Sequence, residues 1–202
     1  ESLDEKQWHK VLPALLRGLS ALREIQVEGG IDWSNPHADP PMNWHGWLNS
    51  SLEDHAGERV SGWREPLKRI SYSDMIFTEV EKVLKNLLPL CREIRHIIHR
   101  DLLNRNALVS YDATRSEAVF DWGCSLAGDF VYEIAWFTFW SLWHPAIQTL
   151  NLRQAVPEYY RSIGLNVENF EQRLTCYELQ IGLEHIAYCI FSNRPDDLVA
   201  VT

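Results

Sequence analysis

Residues 96–122, HIIHRDLLNRNALVSYDATRSEAVFDW, limit the possible folds more than any other stretch. Apolar residues collect at 94–98, 107–110 and 116–122, in runs that suit short strands better than helices. Residues 111–115 read as the hairpin turn joining the last two runs. Between the first two lies a polar loop carrying His99, Arg100, Asp101 and Asn106, and Asp121 follows on the next strand.

The rest of the chain has a helical pattern. Residues 4–25 place Trp8, Val11, Leu15, Leu19 and Leu22 at helical spacing, with Pro13 marking a kink or a later start. GGIDWSNPHADPP, residues 29–41, is a loop, and a second helix is expected over 44–55. GERVSGWREP is a connection with turn chemistry at Gly62 and Pro66. SDMIFTEVEKVLKNLLPL reads as a helix opened by a Ser73 cap and closed near Pro89. Helices follow at 129–143, 153–162 and 167–192, with a last short piece from Pro195. The expected fold class is mainly α with a small β-hairpin at its centre.

The 202 residues suffice for one substantial core, so the chain is read as one unit over 1–202. Nineteen basic against 28 acidic side chains give a net charge of −9, which argues against nucleic acid and favours cationic small molecules. Cys91, Cys124, Cys176 and Cys189 form no C-x-x-C pair, as expected of a reduced, cytoplasmic protein. The most apolar stretch, FVYEIAWFTFWSLW, is interrupted by Glu133 and suits a buried helix rather than a membrane span. The first residue is Glu1, which fits a fragment or a processed product.

Asp101 stands two residues after His99, and Asn106 five after Asp101. Phosphoryl transfer needs a carboxylate to orient a hydroxyl and take its proton, and oxygen ligands to hold magnesium against nucleotide phosphates. Asp101 suits the first task. Asn106 and Asp121, an amide oxygen and a carboxylate brought together by a hairpin, suit the second. An H-x-D triplet alone says little, but H-R-D-x-x-x-x-N followed at hairpin distance by D-W-G is specific.

These segments resemble the C-terminal lobe of the aminoglycoside phosphotransferase family, most closely its hygromycin B-directed branch. SDMIFTEVEKVLKNL looks like the helix before the family's catalytic loop, and HRDLLNRNALV like the loop itself. AVFDWGCSLAGDFVYEIA is similar to its magnesium-binding segment and following helix, and LQIGLEHIAYCI to a late helix. The resemblance implies a catalytic loop at 99–106 and a metal-binding segment at 119–123. It implies Asp101 as catalytic base, His99 as a structural member of the loop, and Asn106 and Asp121 as ligands of Mg2+ and its ATP. It further implies that Gly128 and Asp129 brace the loop, and Glu133 falls where the family keeps an acidic residue. Eukaryotic protein kinases share the HRD triplet, and Arg100 favours them, but no A-P-E segment or activation loop follows Asp121.

A kinase-like fold also needs a strand-rich lobe with a phosphate-gripping lysine. Residues 1–98 read instead as helices and loops, with no glycine-rich G-x-G-x-x-G stretch, and Lys6, Lys10, Lys68, Lys82 and Lys85 all lie in helical or loop contexts. The N-terminal nucleotide lobe is therefore expected to be absent, and the chain alone to transfer phosphate poorly. Two functions follow: the C-lobe of an ATP-dependent small-molecule O-phosphotransferase acting on a hydroxyl, by analogy that of a cationic aminoglycoside, or a non-catalytic binding module. A face normally covered by the absent lobe would favour self-association.

Other residues have simpler explanations beside functional ones. Core packing accounts for most of Trp136, Phe137, Phe139, Trp140 and Trp143, with Trp140 and Trp143 the candidates for stacking on a sugar ring. Glu133, Glu178 and Glu184 could face a polycationic substrate or serve structure. Asp32, His37 and Asp39 belong to a surface loop. His185 and Cys189 are one helical turn apart but lack a second pair for zinc.

Overall fold

The computed structural model describes residues 3–25, 27, 43–103, 105–194 and 197. The expected loop carrying Asp32, His37 and Asp39 lies outside these residues, as does most of the segment from Pro195.

Helix α1 spans Glu5–Arg23 and opens with a capping box: Asp4 accepts the Gln7 N–H, and the Gln7 side chain accepts the Asp4 N–H. Pro13 neither ends nor delays this helix and sits on its exposed side. Helix α2, Trp44–Ser50, is capped twice at its N-terminus. Asn43 accepts from the Gly46 N–H, and the distant Glu93 accepts from the Trp44 and His45 N–H groups at 2.8 and 2.9 Å. A short helix α3, Arg64–Lys68, was not expected from the turn-rich sequence around it. Helix α4, Ser71–Leu87, begins before Ser73, which is a buried member of its first turn rather than its cap; Ile70 occupies the cap position. It closes into a 3-10 turn, Leu88–Leu90, that contains Pro89.

Strand β1, His96–Ile98, then leads into the polar loop, and β2, Ala107–Val109, and β3, Ser116–Val119, form the expected antiparallel hairpin. The partner of β1 is a further strand, β4, Leu126–Gly128, with His96 opposite Gly128 and Ile98 opposite Leu126. The sequence does not signal β4, because three small or apolar residues have no period of their own. The polar loop is therefore suspended between two separate ribbons.

Helix α5, Val131–Trp140, passes through a 3-10 turn, Ser141–Trp143, to the short α6, Pro145–Gln148; α7 is Leu152–Ser162 and α8 is Phe170–Phe191. Buried side chains occur all round α8, which marks it as the interior axis on which α3, α4 and α5 pack. Gly182 on this helix admits the Phe139 ring, which would lie 3.3 Å from an added Cβ. Trp44 fills the centre beneath β4: it stacks on Trp47 at 5.0 Å and meets Tyr132 and Tyr177 edge-on. Gly128 exists for this ring, since a Cβ there would come within 2.4 Å of it. Among the described residues, no helix is long and apolar enough to cross a membrane.

Candidate active site

The loop after β1 is held by its own side chains. His99 is fully buried; its Nε2–H donates to the Phe120 carbonyl at 2.9 Å, while Nδ1 accepts the Asp101 N–H at 3.3 Å. Those two bonds together select the Nε2–H tautomer. Asn106 donates from Nδ2 to both the carbonyl (2.8 Å) and Oδ2 (3.0 Å) of Asp101, fixing the carboxylate against the loop. The half-buried Asp101 is thus oriented by its neighbours before any substrate arrives.

Asp121 is brought in by the hairpin. The Phe120 N–H donates to the Asn106 carbonyl at 3.0 Å, so the residue before Asp121 is tied to His99 through one backbone group and to Asn106 through the other. Asp121 itself is exposed, in the left-handed region at φ 60°, which an aspartate tolerates better than most residues. Trp122 covers His99 with ring centroids 4.7 Å apart. Both Nδ2 bonds of Asn106 go to Asp101, which leaves its Oδ1 for a cation. An amide oxygen and an exposed carboxylate at adjacent backbone positions fit a hard, oxygen-seeking ion such as Mg2+ whose remaining ligands are phosphate and water. Among the described residues, no cluster of three or more His, Cys, Asp or Glu forms a protein-only cage. Cys189 Sγ and His185 Nε2 lie 3.5 Å apart on one face of α8, and Cys189 is buried.

Of the two roles open to Glu133, its surroundings are those of a structural one. It is buried in the first turn of α5, and its Oε2 accepts the N–H groups of His99 (2.5 Å) and Arg100 (2.9 Å). Its Oε1 is buried without a hydrogen-bond partner. Burial raises its carboxyl to about 7, against the lowering effect of the two N–H donors and with a further push from Asp101. In this arrangement Glu133 is engaged by the loop backbone.

Asp129 ties the end of β4 to the core. Its carboxylate takes Arg173 Nε and Nη2 at 2.8 and 2.5 Å, the Tyr177 hydroxyl at 2.5 Å and the Val131 N–H at 3.1 Å, joining β4 to α8. Gly128 supports the loop through its pairing with His96 on β1. Glu178 is engaged by the Thr138 hydroxyl at 2.6 Å and by Arg153, and burial raises its carboxyl. Trp140 packs among Trp136, Phe139, Trp143 and His185, whereas Trp143 is 36% exposed.

The model of the APH phosphotransferase enzyme family matches residues 2–165 of this chain. The chain belongs to the aminoglycoside phosphotransferase family. Hygromycin-B 4-O-kinase of Escherichia coli is 33% identical over 109 residues, which make up 53% of this chain and 29% of that protein. The thermostable mutant of aminoglycoside phosphotransferase APH(4)-Ia superimposes with a TM-score of 0.75 in its ternary complex with ADP and hygromycin B, at 20% identity. The complex of such a mutant with AMP-PNP and hygromycin B gives 0.73 at 21% identity. Both matches cover 98% of this chain and 63% of the solved one, so the chain spans less than two thirds of these relatives. At such identities the likeness establishes the fold: the helical, C-terminal lobe of the kinase-like architecture.

Proposed function

We propose that this chain is the acceptor-side lobe of an ATP- and magnesium-dependent O-phosphotransferase whose substrate is a cationic aminoglycoside. The observation that carries the proposal is Asp101, its carboxylate held by Asn106 and its backbone N–H by His99, on a loop that the Phe120–Asn106 bond ties to the residue before Asp121. Asp101 would align a substrate hydroxyl and accept its proton. Asn106 and Asp121 would hold magnesium, which neutralises charge on the transferring phosphoryl group. Complexes of APH(4)-Ia with nucleotide and hygromycin B support both ATP and an aminoglycoside as ligands. The net charge of −9 suits a cationic acceptor, and four free cysteines suit a reducing, cytoplasmic setting. Of the two tryptophans, Trp143 presents the more exposed ring for stacking on a sugar, with Trp140 as its packing support.

The described strands are four, in two separate pairs, and none carries a lysine. A nucleotide-binding lobe from elsewhere would complete the site, and these 202 residues alone would transfer phosphate inefficiently. Leu108, Phe120 and Trp122 are exposed around the Asn106–Asp121 pair, an apolar surface that suits such a lobe or, without one, self-association.

The test is Asp101→Ala in the longest gene product that carries this chain, assayed with Mg-ATP and hygromycin B. Turnover should fall by about 10²–10⁴-fold with the unfolding midpoint unchanged. Normal turnover in that variant would remove Asp101 from the chemistry and the proposal with it.

A further inference from the structure

Arg100 immediately precedes Asp101, and its backbone is left-handed at φ 65°, a conformation unfavourable to a non-glycine residue. Glycine would adopt it freely, so the arginine side chain must contribute something that glycine lacks. That side chain reaches three elements at once. Its Nη2 pairs with Glu184 of α8, and its guanidinium lies 5.1 Å from the Trp47 ring of α2 and 6.0 Å from the Trp136 ring of α5. Its own N–H is held by Glu133. Both side chains of the ion pair are only 22% exposed, so the pair is shielded enough to be directional without being sealed in the core.

We infer that Arg100 and Glu184 form a positioning pair that clamps the residue before Asp101 to α8 and thereby sets the direction of the Asp101 carboxylate. The inference rests on the proposed phosphotransfer at Asp101 and adds to it two residues that never touch the reacting atoms. Rotation about the Arg100 backbone would swing Asp101 away from Asn106, and Glu133 resists that from the backbone side, at the His99 and Arg100 N–H groups. The Arg100–Glu184 pair resists it from the side chain, through α8. A misplacement of about 1 Å in a reacting group costs about 10²-fold in rate.

The experiment compares Glu184→Gln, which keeps the shape, Arg100→Met, which keeps the apolar stem against Trp47 and Trp136, and the double variant, all in the intact gene product. Each single variant should lower kcat by about 10- to 100-fold while KM for Mg-ATP moves less than about threefold. The double variant should lose no more than the worse single one, because the two residues act as one unit. Amide exchange at Arg100 and Asp101 should quicken by about tenfold in Glu184→Gln, with global stability unchanged. Unchanged kcat, additive losses or unchanged exchange would each overturn the pairing. A wild-type protein without phosphotransfer would instead defeat the proposed function, and the exchange rates would still decide whether Glu184 holds the loop.

Discussion

Asp129 and Glu133 are buried carboxylates four residues apart, one just before α5 and one in its first turn, and they are satisfied in opposite ways. Asp129 faces a full positive charge, the buried Arg173 guanidinium, and two further donors. Glu133 faces only the peptide N–H groups of His99 and Arg100, with its second oxygen unpartnered. The first arrangement fastens β4 to α8 with a compensated charge. The second gives the polar loop after β1 a carboxylate anchor met only by partial charges, and burial pushes that carboxylate towards neutrality. The structural carboxylate thus has the full counter-charge, and the one nearest the chemistry does not.

Removing Asp129 should have the largest effect. Asp129→Ala leaves Arg173 charged and buried, and should cost about 4 kcal/mol in denaturant unfolding. A loss no larger than that of a surface variant would mean the pair is not what joins β4 to α8.

Glu133 sharpens the contrast through pH. Its folded carboxyl titrates near 7 against an ordinary value of 4.5, so the native state binds the extra proton more tightly than the unfolded chain. The stability it contributes is fully present below about 4.5 and is lost as pH rises through about 7, by about 3 kcal/mol in all. Glu133→Gln, whose amide oxygen can still accept both N–H groups, should flatten stability across that window. A slope between pH 5 and 7 identical to that of the wild type would show that another group titrates there.

Gly128→Ala tests the strand between the two carboxylates. The added methyl meets the Trp44 ring and should cost about 2 kcal/mol, read as a lower thermal midpoint. An unchanged midpoint would mean that the ring moves aside without loss. The smallest effect belongs to an exposed carboxylate. Lys82→Met frees Glu79, 2.6 Å away on the surface of α4, and should change unfolding free energy by less than about 0.5 kcal/mol. A larger change would show that exposed pairs matter here as much as buried ones.

The hairpin was legible because its determinants are local. His99, Asp101, Asn106 and Asp121 fall within one strand–loop–hairpin unit, so residue spacing alone places them together. The long helices were legible for the same reason, since each carries its own apolar stripe or run. Strand β4 was not, because its three residues gain strand character only by pairing with β1. Ser73 looked like a cap because its type suits one, yet Ile70 takes that position and Ser73 is buried within the turn.

The sequence by itself determined the fold class and carried the resemblance to the family, since helical periodicity and the H-R-D-x-x-x-x-N spacing are both short-range. Only the tertiary structure decided which acidic residues serve the loop. Glu133 meets His99 across 34 residues, Arg173 meets Asp129 across 44, and Arg100 meets Glu184 across 84. No local period spans such distances. Whether a carboxylate ends up beside a guanidinium, a peptide N–H or water is settled by which helices share the core, and that choice sets its charge and its role.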